Sequence, residues 1–316
     1  MSAHPAPPLP ITTLTINPAL DVSTSTPTVM AEHKMRCGPS RLDPGGGGVN
    51  VSRVIARLGG QSTAIYAVGG PTGQAYRQLL EAEGIVGRAV PIAGSTRENI
   101  TVDETETGKQ FRFVLQGPEV TEPEWQAALA ATLSTARFGG YVVPSGSLPP
   151  GVPDDFYARV TRAAHESGAR VVVDASGEAL AAALDEGVYL IKPSGRELGE
   201  LVGSTLSTVA EKTAAATELV ARGRVEVVAL TLGGDGAVLV TRDGAQHLAP
   251  PPIEVHSTVG AGDSFLAGLV LRLAEGRSLE VAFRAGVACG AATAMTAATE
   301  LCHADDVRRL EAELAA

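Results

Sequence analysis

The stretch "ARVVVDASGEALAAALDEGVYLIKP" (residues 169–193) sets two short apolar runs on either side of an alanine-rich segment. Valine-rich runs over 169–175 and 188–193 suit strands buried on both faces, and 177–184 between them suits a helix. The unit recurs along the chain. Strands are predicted at 11–16, 62–70, 141–145 and 225–233. Helices are predicted at 49–59, about 73–83, 125–136, near 154–167, at 208–222 and after Gly260. Strands alternating with helices give an α/β fold: a mainly parallel central sheet flanked by helices on both faces.

Two segments interrupt the alternation. Residues 20–44 are rich in Thr, Ser, Val and Pro, and "NITVDETETGKQFRFVLQG" (99–117) alternates apolar and polar positions around a Thr-Gly turn. The second reads as a hairpin. Together, over about 20–44 and 97–117, they predict a small β-sheet projecting from the main body, a lid or a dimer surface inserted into one domain.

The domain is expected over 11–316, behind a loose Pro-rich tail at 1–10. That tail, "MSAHPAPPLP", has neither the basic nor the apolar region of a signal peptide. With 25 Lys and Arg against 35 Asp and Glu, the formal net charge is −10. Such acidity argues against nucleic acid or an anionic membrane as partner. "AGVACGAATAMTAAT" (285–299) is too short and too rich in Gly and Thr to span a bilayer and reads as a tightly packed helix. Cys37, Cys289 and Cys302 form no CxxC pair, which favours reduced thiols in a cytoplasmic protein.

Four groups carry candidate chemistry. In "STVGAGDSFLAG" (257–268), Gly260, Ala261 and Gly262 leave backbone N–H groups uncovered at a helix N-terminus, a natural anion site. Asp263 beside them is either a favourable first-turn acid or a group that acts on the anion. In "PGGGGVNVSR" (44–53), four costly glycines suggest close backbone approach to a ligand, with Asn50 placed to bond a polyol. Lys34, Arg36 and Arg97 sit in the two insertions, either as solvated charges or as a phosphate-binding cluster on the lid's inner face. In "IKPSGRE" (191–197), Lys192 ends a buried strand; Glu197 lies one turn into the next helix, either as a surface acid or as a water-mediated Mg²⁺ ligand. There is no GxxxxGK[ST], no GxSxG, and no His pattern with metal-ligand spacing.

A family resemblance runs from about residue 11 to 312. "LTINPALD" (14–21), "KMRCGPSRLDPGGGGVNVSR" (34–53), "TRENI" (96–100), "SGSLPPGVP" (145–153), "VDASGEAL" (173–180), "KPSGREL" (192–198), "TLGGDGA" (231–237) and "STVGAGDS" (257–264) resemble, in order and spacing, the PfkB branch of the ribokinase superfamily. "SGSLPPG" points to its phosphosugar kinases. Gly47 stands where 1-phosphofructokinases and tagatose-6-phosphate kinases usually carry Lys, so the chain is most similar to the 6-phosphofructokinase group.

The resemblance implies a ribokinase-like fold and ATP-dependent phosphorylation of fructose 6-phosphate at its C1 hydroxyl. Asp263 would be the general base, and the amides of Gly260, Ala261 and Gly262 the anion hole. Lys34 would bridge the phosphates of the two substrates. Asp21, Gly46, Gly47 and Asn50 would hold the sugar, with Arg36 and Arg97 on its phosphate. Lys192, Ser194, Thr231, Gly233 and Gly236 would line the ATP site and Glu197 would act on Mg²⁺. Ser194 replaces the family's usual Asn, and "MTAATELC" (295–302) lacks the Asn and Gly expected beside the adenine and a monovalent-cation loop, which counts against K⁺, the further cofactor that the resemblance implies. A homodimer through the lid is also implied. The alternatives are fructose 1-phosphate or tagatose 6-phosphate as substrate, or a sugar-phosphate-binding protein without turnover.

Overall fold

The structure, a computed structural model, describes residues 7–315. In chain order the strands are β1 (Ile11–Thr15), β2 (Ala19–Thr26), β3 (Arg41–Gly45), β4 (Thr63–Val68), β5 (Gly87–Pro91), β6 (Arg97–Glu104), β7 (Gln110–Val114), β8 (Tyr141–Pro144), β9 (Arg170–Val173), β10 (Val188–Ile191), β11 (Val225–Thr231), β12 (Ala237–Thr241) and β13 (Gly244–Leu248). The helices are α1 (Gly47–Arg57), α2 (Gly70–Ala82), α3 (Glu122–Thr135), α4 (Phe156–Glu166), α5 (Gly177–Asp185), α6 (Gly195–Val202), α7 (Val209–Ala221), α8 (Ala261–Ala274), α9 (Leu279–Ala294) and α10 (Ala304–Glu313).

Nine strands form one sheet in the order β13-β12-β11-β10-β9-β8-β1-β4-β5. From β11 to β5 every neighbouring pair is parallel. Alternation along each strand divides the core in two. Val171 and Val173 of β9 join Phe156, Leu184 and Leu219 on one face. Val172, with Leu190 and Val227, packs on the other face against Leu266, Val270 and Phe283 of α8 and α9. Burying such side chains contributes roughly 1.5–3 kcal/mol each, which is why uninterrupted Val and Ile runs settle in the centre of the sheet.

The two insertions pair as a second sheet in the order β3-β2-β6-β7. Its central pair, β2 and β6, is parallel and sets Asp21 beside Asn99. The hairpin expected over 99–117 is β6–β7.

Several expectations need correction. Residues 1–6 of the tail lie outside the described residues, but its end is docked: Leu9 N–H donates to Ala274 O, and Pro10 O accepts from Tyr141 N–H, both at 2.8 Å. The helix read over 285–299 stops at Ala294, and Ala298 adopts a left-handed conformation (φ 54°) in the turn that follows. The reading along the sequence also omitted β5 and the antiparallel pair β12–β13. Strands β5 and β13 are the sheet edges, β5 half exposed and β13 mostly so, and they lack the continuous apolar signal of the centre; β12, paired on both sides, is buried and does carry a short apolar run. Among the described residues no helix is long and apolar enough to cross a membrane.

Candidate active site

Three adjacent parallel strands each end on a polar residue at the same sheet edge: Ser145 after β8, Asp174 after β9 and Lys192 after β10. Ligands gather at the carboxyl ends of such strands. Ser145 Oγ donates to Asp174 Oδ2 at 3.3 Å, and Lys192 Nζ pairs with Asp174 Oδ1 at 3.1 Å. The Lys192 ammonium also lies against the first turn of α8, within 3.1 Å of where a Cβ on Gly262 would stand. Gly260 caps that helix in the left-handed region (φ 75°).

Asp263 occupies the third position of α8, and its Oδ2 accepts from Asn50 Nδ2 at 2.8 Å. Burial pushes its pKa up to about 7; the charges of Asp174 and Asp21 push the same way, against the Asn50 hydrogen bond and Lys192. Burial pulls Lys192 down, yet Asp174 and Asp263 outweigh it and hold the ammonium above its ordinary pKa. A titratable carboxylate near neutrality, beside a fixed cation and a helix N-terminus, can accept a proton and tolerate negative charge on a bound group.

The glycine run also makes room for side chains of the protein itself. A Cβ at Gly45 would collide with the Asp21 carboxylate, and one at Gly47 with Ser145 Oγ. These glycines first let two protein side chains approach the backbone. Gly46, the cap of α1 at φ 115°, packs against Thr15 and Pro18. Asp21 accepts from Asn99 Nδ2 at 2.9 Å. Burial raises Asp21 to about 6, against that hydrogen bond and Arg97.

Other expected residues are placed less simply. Both ends of the Asn50 amide are engaged, since Oδ1 accepts from Arg53 Nη1 at 3.2 Å while Nδ2 donates one of its two hydrogens to Asp263. The Ala261 N–H donates to Thr258 O at 3.3 Å, so of the expected anion hole it is the least available. Lys34 and Arg36 lie in the exposed connector between β2 and β3, and no hydrogen bond or ion pair among the described residues joins them to Arg97 or Asp263. Arg97 donates from Nη1 to Leu115 O (2.9 Å) and from Nη2 to Asn17 O (3.0 Å), which ties both ends of its insertion to the end of β1.

On the nucleotide side, Ser194 and Glu197 form a reciprocal capping box at the start of α6. Glu197 N–H donates to Ser194 Oγ at 3.2 Å, and Ser194 N–H donates to Glu197 Oε2 at 2.8 Å. This accounts for a serine in that place: its hydroxyl caps the helix. Glu197 Oε1 makes no hydrogen bond among the described residues and has Arg196 at 4.0 Å, so this oxygen can meet the mostly hydrated shell that Mg²⁺ prefers. Thr231 N–H donates to Pro193 O at 2.9 Å and so aligns the end of β11 with Ser194. Gly233 faces open space, whereas a Cβ at Gly236 would strike Leu248 O; Gly236 closes the turn into β12.

The sequence reading assigned no role to Asp174, Ser145, Asn99 or Arg53. Asp174 had the same signal as Lys192, a polar residue ending a buried strand. Asn99 gave none, because only the β2–β6 register brings it to Asp21.

A model of the pfkB family of carbohydrate kinases matches residues 15–305. The chain belongs to that family. This pfkB-family kinase is 47% identical over 299 residues to the ATP-dependent 6-phosphofructokinase isozyme 2 of Mycobacterium tuberculosis, covering 95% of this chain and 88% of that one. It superposes on phosphofructokinase-2 from Escherichia coli in complex with potassium with a TM-score of 0.94 at 41% identity, covering 98% of this chain and 100% of that one. The Escherichia coli protein also has a tetrameric inhibited form. Arabidopsis thaliana ribokinase, at 19% identity, shares the fold, with a TM-score of 0.75 over 96% of this chain and 99% of that one. The ribokinase-like α/β fold and the kinase family expected from the motifs are both borne out.

Proposed function

We propose that this chain transfers the γ-phosphoryl group of ATP to the C1 hydroxyl of fructose 6-phosphate, giving fructose 1,6-bisphosphate and ADP. The observation that carries the reading is Asp263 at the N-terminus of α8, raised to about 7 and bonded through Oδ2 to Asn50. Its Oδ1 is left to take the hydroxyl proton as the C1 oxygen attacks phosphorus and the bond to the ADP oxygen breaks. The amides of Gly260 and Gly262 face the charge that develops on the transferred group, and Lys192 adds a fixed cation beside them.

The sugar lies over Gly46 and Gly47, with Asp21, steadied by Asn99, on its hydroxyls. Arg97, Arg36 and Lys34 meet the phosphates, the last two brought in when the connector between β2 and β3 folds over bound substrate. Thr231 and Gly233 line the nucleotide site. Glu197 would hold Mg²⁺ through its water shell, and the ion would supply charge neutralisation for the ATP phosphates. The lid sheet exposes Leu42, Phe113, Val114 and Leu115, apolar surface that suits a second copy of the chain. Three free cysteines fit a reducing, cytoplasmic setting.

The test is ADP release with Mg-ATP and, at equal concentrations, fructose 6-phosphate, tagatose 6-phosphate, fructose 1-phosphate or fructose. The highest kcat/KM is expected for fructose 6-phosphate. A preference for fructose 1-phosphate or tagatose 6-phosphate overturns the substrate, and no turnover with any of them leaves a binding protein. Exchanging K⁺ for Na⁺ in the same assay tests the monovalent cation, which is dropped if the rate does not change.

A further inference from the structure

Arg53 is almost fully buried, and its guanidinium is shared among four groups. Nε and Nη2 donate to the two oxygens of Glu83, at 2.8 and 2.6 Å. Nη1 donates to Pro44 O at 3.0 Å and to Asn50 Oδ1 at 3.2 Å. Nη2 also reaches Asp43 Oδ1 at 3.5 Å. A buried ion pair could be replaced by apolar side chains at little cost, so stability alone is a weak reason for this arrangement.

The Asn50 contact has a directional consequence. An amide has a donor end and an acceptor end, and a guanidinium only donates. With Oδ1 held by Arg53, the NH₂ end must face Asp263. The reverse orientation would set NH₂ against guanidinium and carbonyl oxygen against carboxylate.

Asp43, on the lid strand β3, links the same arginine to the loop after α9. Asp43 Oδ2 accepts from Thr299 Oγ1 at 2.7 Å, and Asp43 also pairs with Arg41, which in turn meets Glu300 at 3.1 Å. The root of the lid, the C-terminal loop and the amide facing Asp263 therefore share one buried cation.

We propose that Arg53 is a positioning residue for phosphoryl transfer: it fixes the orientation of the Asn50 amide so that Asp263 always receives a donor on Oδ2 and keeps Oδ1 free for the substrate proton. It touches neither substrate and acts through Asn50. The inference rests on Asp263 as the base. The charged groups around that carboxylate are Asp174 beyond β9, Lys192 beyond β10 and Asp21 of β2, and none of them contacts Arg53 directly through a hydrogen bond.

The experiment compares Arg53→Gln with Glu83→Gln, reading kcat, KM and the acid limb of the kcat/KM–pH profile. Arg53→Gln is expected to lower kcat about 10-fold, part of the 10²–10⁴ ascribed to general-base assistance, and to move the acid limb to higher pH because the base loses a reliable donor. Glu83→Gln lowers thermal stability but leaves kcat and the limb in place, since Pro44 O and Asp43 still hold the guanidinium. In an Asn50→Ala background, Arg53→Gln shifts the limb no further. A profile and kcat unchanged in Arg53→Gln overturn the proposal, as does a shift that persists undiminished without Asn50. If Arg53→Gln does not fold, Arg53→Lys, which keeps the Glu83 pair but lacks the second prong, must show the same shift. Full activity in Asp263→Asn would instead overturn the base assignment itself.

Discussion

Asn50 Nδ2 donates to Asp263 Oδ2 at 2.8 Å across 213 positions of chain. The bond joins the first turn of α1, which follows the glycine run, to the first turn of α8, and so ties the proposed sugar side of the site to the proposed base. It also sets which carboxylate oxygen is occupied and which is free.

Replacing Asp263 with Asn keeps the shape and removes the base. The expected result is a fall in kcat of about 10²–10⁴ with the KM for fructose 6-phosphate nearly unchanged. Steady-state kinetics check this, and a variant that retains full turnover removes Asp263 from the chemistry.

The pH dependence follows from the same group. Burial pushes the Asp263 carboxyl up to about 7, so with Asp263 as the proposed base kcat/KM should rise with pH through that value. Stability has the opposite sign. Burial raises the folded carboxyl above its ordinary 3.8, so its contribution is complete below that value and is lost as pH rises through 7. Asp21, raised to about 6, acts in the same direction. Melting temperatures at pH 6 and pH 8 should differ less in Asp263→Asn than in the parent. Equal differences would mean that the carboxyl is not raised.

Arg97 holds two backbone carbonyls, those of Asn17 and Leu115, and borders the proposed sugar phosphate site. Arg97→Ala should raise the KM for the phosphosugar and leave that for ATP nearly unchanged. Arg97→Lys should not restore it, because one ammonium lacks the planar fork that spans both carbonyls. A normal phosphosugar KM in Arg97→Ala would take this residue out of the site.

The apolar lid surface makes a prediction about assembly. Phe113 is 51% and Val114 63% exposed. Placing a charge there with Phe113→Asp should shift the protein from dimer to monomer in light scattering at micromolar concentration. If the mass does not move, the copies meet elsewhere.

The central strands were legible because both of their faces are buried, which writes Val and Ile without interruption. Strand β13 faces solvent at the sheet edge and carries no such mark, whereas β12 beside it is buried and carries only a short apolar run, Ala237–Val240. Asp263 and Asn50 were legible because small residues around them have few other uses. Which partner Asn50 takes depends on how α1 packs on α8, and that lies in no local pattern. Lys34 and Arg36 were assigned by charge and segment alone; their place in an exposed connector follows from where β2 ends and β3 begins. Gly236 was grouped with Gly233, yet one closes a turn against Leu248 and the other faces open space.

The parallel pairing of β2 with β6 joins segments from two separate connections of the main sheet. Remove either insertion and the other becomes a two-stranded ribbon, marginal in water, with a newly bare edge open to other chains. Neither segment can therefore be gained, lost or grafted singly. In descent and in engineering alike, the two must travel as a pair.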